Sequence, residues 1–477
     1  MRTKPSPSSV RKFRDEGVTV PNALQPIRTD GTRFVTPDGA TVLLRGVCLG
    51  GWLNMENFIT GYSGNESLMR RTVADRIGAD RADRFFDRLL TRFFAEEDAA
   101  LLADEGFSVV RIAVGYKHLE DDARPFELRP DAFAHLDRAI DALARHGVYS
   151  IVDLHALPGS QNQHWHSDNE THRALFWEHP HFQDRVVRIW EAIAEHYRGN
   201  PAVAGYNLLN EPADESRAVV GPFYRRLVAA IRAVDPDHTV FLDGNTYATE
   251  FGFFDEDPFA NAVFTLHDYV PAGLGRSSSY RAEEARAKFL QRSEHARRTG
   301  TPILVGEFGP IYTGDPDEDA LRRRILDDQL ALYDEFGASW TLWMYKDIGR
   351  QGLVSVREDT PYRRRFDAFV AKKRRLGVDQ WGSDGIDPVE VTKPVQDLVA
   401  REFPDFDPYP WGRVDFVRTL LNNITLAQPM AHEYADLFRG VDDAGLDALA
   451  DSFALAACEV RQPLRDRLVA HLPGVRA

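Results

Sequence analysis

The sequence predicts an α/β protein, a (β/α)8 TIM barrel with a C-terminal helical extension, and three observations predict it. Eight short apolar runs recur between residues 43 and 345 without clean polar–apolar alternation, which is typical of parallel strands covered on both faces. Amphipathic stretches lie between these runs, and several end in a glycine suited to a helix C-terminus, such as Gly106, Gly147 and Gly337. From about residue 378 the alternation stops and helix-like patterns follow.

The predicted elements follow in order along the chain. Residues 1–30 are a polar tail, 31–377 form the barrel, and 378–477 form the helical extension, which begins with a turn-rich linker at 381–388. A hairpin with the turn Pro37-Asp38-Gly39 precedes the first strand. The predicted strands are 43–49, 108–114, 149–155, 203–210, 239–243, 262–267, 302–308 and 339–345. The predicted helices are 80–105, 131–146, 181–197, 218–234, 280–298, 317–336, 362–376, 389–403, 411–421 and 433–472.

An open, doubly wound sheet is the alternative to a closed barrel. It is disfavoured because Gly46, Gly50 and Gly51, after the first strand, do not form a G-x-G-x-x-G phosphate turn.

Composition restricts the classes of partner. The 477 residues are 43% hydrophobic and 27% charged, as in a soluble globular protein. The 73 acidic residues against 58 Lys and Arg give a net charge of −15, so we expect no nucleic-acid partner and no anionic membrane partner. Two cysteines, no apolar leader and no run of 18 apolar residues predict a cytoplasmic protein without a membrane span.

Polar and ionisable residues stand at the predicted C-terminal ends of the strands, where barrels of this kind carry their functional groups. Taken singly, each has a structural explanation, such as an ion pair for Arg111 or a satisfied core histidine for His155. Their recurrence at one end of the barrel favours a common site instead. In strand order they are Arg111, His155, Asn210, Glu211, His267, Tyr269, Glu307 and Trp343.

Two of these residues, Glu211 and Glu307, suit hydrolysis of a glycosidic bond. One carboxyl group must protonate the leaving oxygen while the other attacks or stabilises the anomeric carbon. Direct attack requires the two groups to lie about 5–5.5 Å apart, and we expect that spacing. Arg111 and Tyr269 are expected to hold Glu307 as a carboxylate.

Two further residues suit the sugar itself. The amide of Asn210 is suited to the sugar 2-hydroxyl, a contact that strengthens in the transition state. The ring of Trp343 offers an apolar platform for a pyranose face.

The motifs Asn210-Glu211-Pro212 and Gly306-Glu307-Phe308-Gly309 resemble the acid/base and nucleophile signatures of glycoside hydrolase family 5. The other strand-end residues match active-site types of that family, and the resemblance covers roughly residues 31–377. It implies a (β/α)8 barrel and net retention through a covalent glycosyl-enzyme. Glu211 would be the acid/base and Glu307 the nucleophile, with no metal and no organic cofactor.

Two segments resemble particular branches of the family. Residues 45–56, RGVCLGGWLNME, are similar to exo-β-1,3-glucanases, which implies that Glu56 binds the terminal sugar. Residues 345–352, YKDIGRQG, are similar to cytoplasmic bacterial β-glycosidases and β-mannosidases, and Asp347 within them is a candidate substrate contact.

The predicted loop after the third strand carries five histidines within eighteen residues, with no H-E-x-x-H spacing. Solvated or helix-capping histidines, a metal site, and sugar contacts by Trp165 and His166 are the three interpretations. Together with long loops at 52–78 and 347–361, this loop would wall off the barrel mouth, which predicts exo action.

The predicted function is a retaining exo-acting β-glycosidase that removes terminal β-glucosyl or β-mannosyl residues from oligosaccharides or small glycosides. Within the class, the alternatives are an exo-β-1,3-glucanase and a glycosidase of aglycone- or lipid-linked sugars. From other classes come a metal-dependent barrel hydrolase using His155 and His267, and an inactive carbohydrate binder. The extension is expected to act as a lid, a dimer surface or packing over the barrel, with its aromatic residues as docking anchors.

Overall fold

A computed structural model describes residues 24–254, 259–274, 280–378 and 389–473. Most of the predicted tail and the predicted linker at 381–388 lie outside these ranges.

Eight parallel strands close into a barrel, and each pairs with its neighbours in chain order, the eighth with the first. The predicted fold class is confirmed. The fourth strand ends at Asn207 and is shorter than predicted, because Leu208–Asn210 lie beyond the end of the strand ladder. The strands, numbered here β1 to β8, are Arg45–Leu53, Val109–Gly115, Tyr149–Ala156, Val203–Asn207, Thr239–Asp243, Ala262–His267, Ile303–Glu307 and Ser339–Leu342.

Helices surround the barrel, and two predicted helices are each divided in two. The run 80–105 breaks at Phe94 and Ala95, where the Asp98 carboxylate accepts the Ala95 N–H (2.9 Å) and begins a new helix. The run 280–298 divides at Ser293. The α-helices up to residue 378 are Asn57–Thr60, Glu66–Ile77, Ala79–Phe93, Glu96–Asp104, Ala134–Arg145, Pro180–Tyr197, Val220–Val234, Pro271–Leu274, Ala282–Arg292, Glu294–Thr299, Pro316–Glu335 and Pro361–Arg375. Asn245–Ala248 is a single turn in which residues 246–248 have positive φ. Short 3-10 turns are Tyr116–His118, Trp165–Ser167 and Leu175–Trp177, and a small hairpin joins Glu120–Asp121 to Arg124–Leu128.

The N-terminal end of the barrel is covered by a small antiparallel sheet. Its strands are Arg28–Asp30, Arg33–Val35 and Thr41–Val42. The last two form the predicted hairpin, and the first lies within the predicted tail, residues 1–30. Phe34 and Ile27 pack against residues at the starts of the barrel strands, including Val109 and Tyr149. The cavity described below therefore lies at the opposite end.

The C-terminal extension packs on the outside of the barrel and shares its core. Phe438 contacts Phe85 (ring centroids 5.1 Å apart) and Phe453 stacks on Phe93 (5.8 Å). The predicted helix 433–472 is wrong as a single element, because Cys458–Val460 interrupts it as a strand paired with Val354–Val356, beside Lys346–Asp347. The extension's helices are Val389–Glu402, Gly412–Thr419, the π-helix Leu420–Leu426, Ala427–Asp436, Asp443–Asp451, the 3-10 turn Leu455–Ala457, and Gln462–Val469.

Across the described ranges, every helix is too short or too polar to cross a membrane.

Candidate active site

A cavity of about 690 Å³ opens at the C-terminal end of the barrel strands. Nine of the predicted site residues line it: Glu56, His155, Trp165, His166, Glu211, His267, Tyr269, Glu307 and Trp343. The rest of its wall comes from the loops after β3 and β5, from the C-terminal extension, and from the segment after β6, which supplies Pro271, Leu274, Lys288 and Arg292.

The two glutamates face each other across this cavity. A carboxyl oxygen of Glu211 and one of Glu307 lie within 4.8 Å of each other, and the residues are 7% and 5% exposed. Glu211 has a left-handed backbone (φ 48°), an unfavourable conformation for a residue with a side chain. Its N–H donates to the carboxylate of Asp243 at the end of β5 (3.1 Å), which helps to hold that conformation.

Glu307 is held by two donors. Arg111 Nη1 donates to Glu307 Oε1 (2.8 Å), and the Tyr269 hydroxyl donates to Oε2 (2.9 Å). Arg111 is itself fully buried and also donates to the side-chain oxygens of Asn207 (2.8 Å) and Asn210 (2.7 Å). Glu307 is therefore oriented and charge-stabilised by side chains that have little freedom to move.

Asn210 lies behind the cavity surface. Its Oδ1 accepts from Arg111, its Nδ2 lies 3.2 Å from His155 Nε2, and it has no exposed surface. Its contact with a sugar hydroxyl stays a prediction, because the structure uses both ends of the amide within the protein.

Three residues form a second group beside the glutamates. The rings of His155 and Trp343 stack 5.2 Å apart, and His155 Nε2 lies 3.3 Å from Glu56 Oε1. Asp153 faces the other ring nitrogen of His155 (2.7 Å) and so orients the imidazole. Burial raises the pKa of Glu56, although the neighbouring histidines oppose that rise.

Two imidazoles flank Glu211. His267 Nδ1 lies 2.7 Å from Glu211 Oε1, and His166 Nε2 lies 3.1 Å from Oε2. Burial raises the pKa of Glu211, but hydrogen bonds and charge from these imidazoles, when they are protonated, lower it well below its ordinary value.

The amide of Asn162 contacts the same nitrogen of His166 that faces Glu211. Its Oδ1 accepts from the His164 N–H (3.1 Å) and its Nδ2 donates to the Glu211 carbonyl (3.1 Å), so the amide has one orientation. Nδ2 then also faces His166 Nε2 at 2.9 Å and donates to it. The single hydrogen-bonding site of His166 Nε2 is therefore shared between the Asn162 amide and the Glu211 carboxyl group.

The predicted substrate contact of Asp347 is corrected by the structure. Its carboxylate is fully buried and accepts the N–H groups of Gly349 (2.7 Å), Arg350 (2.9 Å) and Gln351 (2.6 Å). It stands outside the cavity lining because it shapes the loop after β8.

The structure adds site residues that the sequence analysis missed. Asp243 is the last residue of the predicted fifth strand, so the rule applied to the other strand ends also identifies it. Burial raises the pKa of Asp243 to about 6. Tyr247 follows it in a turn where three successive residues have positive φ. The extension contributes Trp411, Val414, Asp415 and Arg418, for which no local sequence signal exists.

The loop histidines have separate environments. His164 and His166 line the cavity, and His164 Nε2 lies 3.6 Å from Asp415 Oδ2. His179 and His181 instead lie at the start of helix Pro180–Tyr197, beside Phe182. Within the described part of the chain, one group could surround a metal ion, and it consists of Glu211, His267 and Glu307.

A (β/α)8 barrel with two buried, facing glutamates at its C-terminal end defines a class, the glycoside hydrolases with a carboxyl pair. Residues 90–349 match the family model described as "Cellulase (glycosyl hydrolase family 5)". The chain belongs to glycoside hydrolase family 5, and it is an enzyme that acts on carbohydrate.

Relatives agree with this assignment. A "Beta-xylosidase" of Phanerodontia chrysosporium is 43% identical over 458 residues, 92% of this chain and 96% of the relative. A "Probable glucan 1,3-beta-glucosidase A" of Emericella nidulans is 26% identical over 65% of this chain and 86% of its own. A crystal structure of an endogalactoceramidase has the same fold, with a TM-score of 0.51 and 20% identity over 68% of this chain and 75% of that one.

Proposed function

We propose that the protein is a retaining exo-acting β-glycosidase that removes terminal β-xylosyl or β-glucosyl residues by double displacement. The approach of Glu211 and Glu307 to within 4.8 Å carries this proposal. Retaining enzymes hold their carboxyl groups about 5–5.5 Å apart, whereas inverting enzymes need about 6.5–9.5 Å to admit a water molecule between base and sugar.

In the first step, Glu211 gives its proton to the leaving oxygen while a Glu307 oxygen attacks C1, which forms a covalent glycosyl-enzyme and releases the alcohol. In the second step, Glu211 takes a proton from water, the water oxygen attacks C1, and Glu307 leaves as a carboxylate. Arg111 and Tyr269 stabilise that carboxylate before attack and after release.

The walls of the cavity support exo action. The loop after β3 brings Trp165 and His166 to one side, and the extension brings Trp411 to another. A site enclosed in this way accepts a chain end or a small glycoside and excludes the middle of a polymer.

The names of the relatives support xylose or glucose as the terminal sugar that is removed. One is a "Beta-xylosidase" and another a "Probable glucan 1,3-beta-glucosidase A". Xylose and glucose have the same hydroxyl configuration at C2, C3 and C4, so the pair Glu56 and His155 could bind either sugar. The mannosyl glycone and the cytoplasmic location stay predictions.

A panel of nitrophenyl β-glycosides tests the glycone and the mechanism together. We expect turnover of the β-xyloside or β-glucoside, with the β-anomer as the first product seen by NMR. A first product of inverted configuration, or rapid loss of viscosity in a long glucan, would contradict the proposal.

The two glutamates are tested separately. Glu307→Gln is expected to lose nearly all turnover, because no nucleophile remains. Glu211→Ala is expected to keep activity on substrates with good leaving groups, and azide should raise that activity and give a β-glycosyl azide.

The metal-dependent alternative predicts that a chelator abolishes activity, whereas the proposed mechanism predicts no effect. An inactive binder would behave the same with and without Glu307→Gln.

A further inference from the structure

The catalytic cavity has two halves. On one side, Glu56 contacts His155 (3.3 Å), and the His155 ring stacks on Trp343 (5.2 Å). On the other side, Tyr247 lies against His166, whose ring centroid is 6.1 Å away, and Trp411 packs on Tyr247 at 5.4 Å.

The second half is on the side of the acid. His166 Nε2 lies 3.1 Å from Glu211 Oε2, and Glu211 is the acid of the proposed mechanism. The acid gives its proton to the leaving oxygen, so the leaving group must lie beside this carboxyl. The contacts from Glu211 through His166 to Tyr247 and Trp411 therefore follow the direction in which the leaving group extends.

The extension is fixed in place at this point. The hydroxyls of Tyr409 and Thr246 are hydrogen-bonded (2.7 Å), and Asp415 lies between His164 (3.6 Å) and Arg418 (2.7 Å). The charges of this wall thus have partners within the protein.

The apolar side chains of the same wall face solvent. Trp411 is 47% exposed and Val414 is 54% exposed, and both line the cavity. In the described part of the chain, eight large apolar side chains are exposed, and six of them lie between residues 395 and 414. Trp411 and Val414 are the two of these six that line the cavity, and an exposed apolar surface at a cavity is a binding surface for something apolar.

We propose that Trp411 and Val414 form a leaving-group site that binds an apolar aglycone, such as an alkyl chain or an aromatic ring. The extension is then part of the active site and selects the leaving group, while the barrel selects the sugar. This inference rests on the proposed function, since it assigns the partner that leaves when Glu211 protonates the glycosidic oxygen.

The test compares leaving groups on one glycone, the sugar that the nitrophenyl panel selects. The substrates are its methyl β-glycoside, its octyl β-glycoside and a β-linked disaccharide, assayed with wild type, Trp411→Ala and Phe403→Ala. Phe403 is the matched control, because it is 61% exposed and lies outside the cavity lining.

We expect Trp411→Ala to lower kcat/KM for the octyl glycoside by about tenfold or more, with the methyl glycoside and the disaccharide changed less than about twofold. Phe403→Ala should leave all three unchanged. An equal fall for the disaccharide and the octyl glycoside would identify a sugar subsite and overturn the proposal. No change for any substrate would overturn it as well.

A binding measurement separates this inference from the proposed function. Calorimetry with Glu307→Gln, which cannot turn over, should show binding of the octyl glycoside that weakens about tenfold in Glu307→Gln/Trp411→Ala. If wild type hydrolyses no glycoside but this difference is seen, the proposed function fails and the apolar site stands. If hydrolysis occurs and the difference is absent, the apolar site fails alone.

Discussion

At the scale of single residues, the two facing glutamates have different neighbours. Glu307 accepts from a guanidinium and a phenol, which suits the nucleophile of the proposed mechanism. Glu211 contacts two imidazoles, His267 (2.7 Å) and His166 (3.1 Å). Two residues of the same type thus have different hydrogen-bond partners, which suits different roles in the proposed mechanism.

The role of His166 gives a prediction about leaving groups. His166→Ala removes one of the two imidazoles that contact Glu211, the acid of the proposed mechanism. We expect kcat/KM to fall about tenfold or more for a methyl glycoside, which needs the proton. A dinitrophenyl glycoside leaves without one and should change less than about threefold. Equal losses on both substrates, measured by steady-state kinetics, would show that His166 does not act through the acid.

Glu66 gives a prediction about stability in acid. Its carboxylate accepts the Met55 N–H (2.7 Å) beside Glu56 and pairs with Arg70 (2.6 Å). Burial opposes ionisation, but Arg70 and His118 lower the pKa of Glu66 to about 2. The folded-state pKa lies below the unfolded value of about 4.3, so ionised Glu66 stabilises the folded protein above that pH. This stabilisation is lost as the pH falls towards 2.

The corresponding experiment compares unfolding of wild type and Glu66→Gln by urea at several pH values. We expect the variant to be less stable at neutral pH by a free energy on the order of 3 kcal/mol, with the difference shrinking between about pH 4.3 and 2. A difference that does not depend on pH would mean that Glu66 acts only through its shape.

At the scale of elements, the extension is attached to the barrel by two kinds of contact. Helix Asp443–Asp451 forms surface ion pairs with helix Ala79–Phe93, such as Arg88 with Asp451 (2.6 Å). Below them, Phe453 is fully buried between Phe93 and Tyr362. Exposed ion pairs contribute little to stability, so the aromatic contacts should dominate the attachment.

Substitutions at these two contacts measure how much each kind of contact contributes to the free energy of unfolding. Phe453→Ala is expected to lower the free energy of unfolding by about 3–5 kcal/mol, through lost apolar burial and a cavity. Arg88→Gln should lower it by less than about 1 kcal/mol. Comparable losses in urea unfolding would contradict the view that apolar packing holds the extension.

At the scale of the whole molecule, the barrel and the extension form one hydrophobic core. The same cluster contains Val110 and Leu242 of the barrel strands and Phe438, Leu446 and Leu464 of the extension. Strand Cys458–Val460 also joins the sheet formed by the loop after β8. The predicted boundary at residue 378 therefore divides the chain by pattern but does not divide the core.

A shared core predicts cooperative unfolding. Tryptophan fluorescence, far-ultraviolet circular dichroism and enzymatic activity should report one transition at one urea concentration. Phe453→Ala should move all three midpoints together. Two separated transitions, with activity lost in the first, would show that the extension unfolds as an independent unit.

The sequence by itself determined the barrel and the two glutamates that face each other in its cavity. Parallel strands covered on both faces are continuous apolar runs, so an ionisable residue such as Glu211 or Glu307 at the end of a run is a local signal. The same signal marked Arg111, His155 and His267. The local pattern was sufficient for most of these residues because they lie near the end of a barrel strand, where the cavity is formed.

Only the tertiary structure decided what surrounds that pair. Asp347 is polar and follows β8, yet its carboxylate caps its own loop, and no pattern distinguishes that use from substrate binding. Trp411 is 68 residues beyond Trp343 in the chain, and it reaches the cavity because the extension packs against the turn that carries Tyr247. Such contacts depend on the packing of distant segments, and local sequence does not encode them.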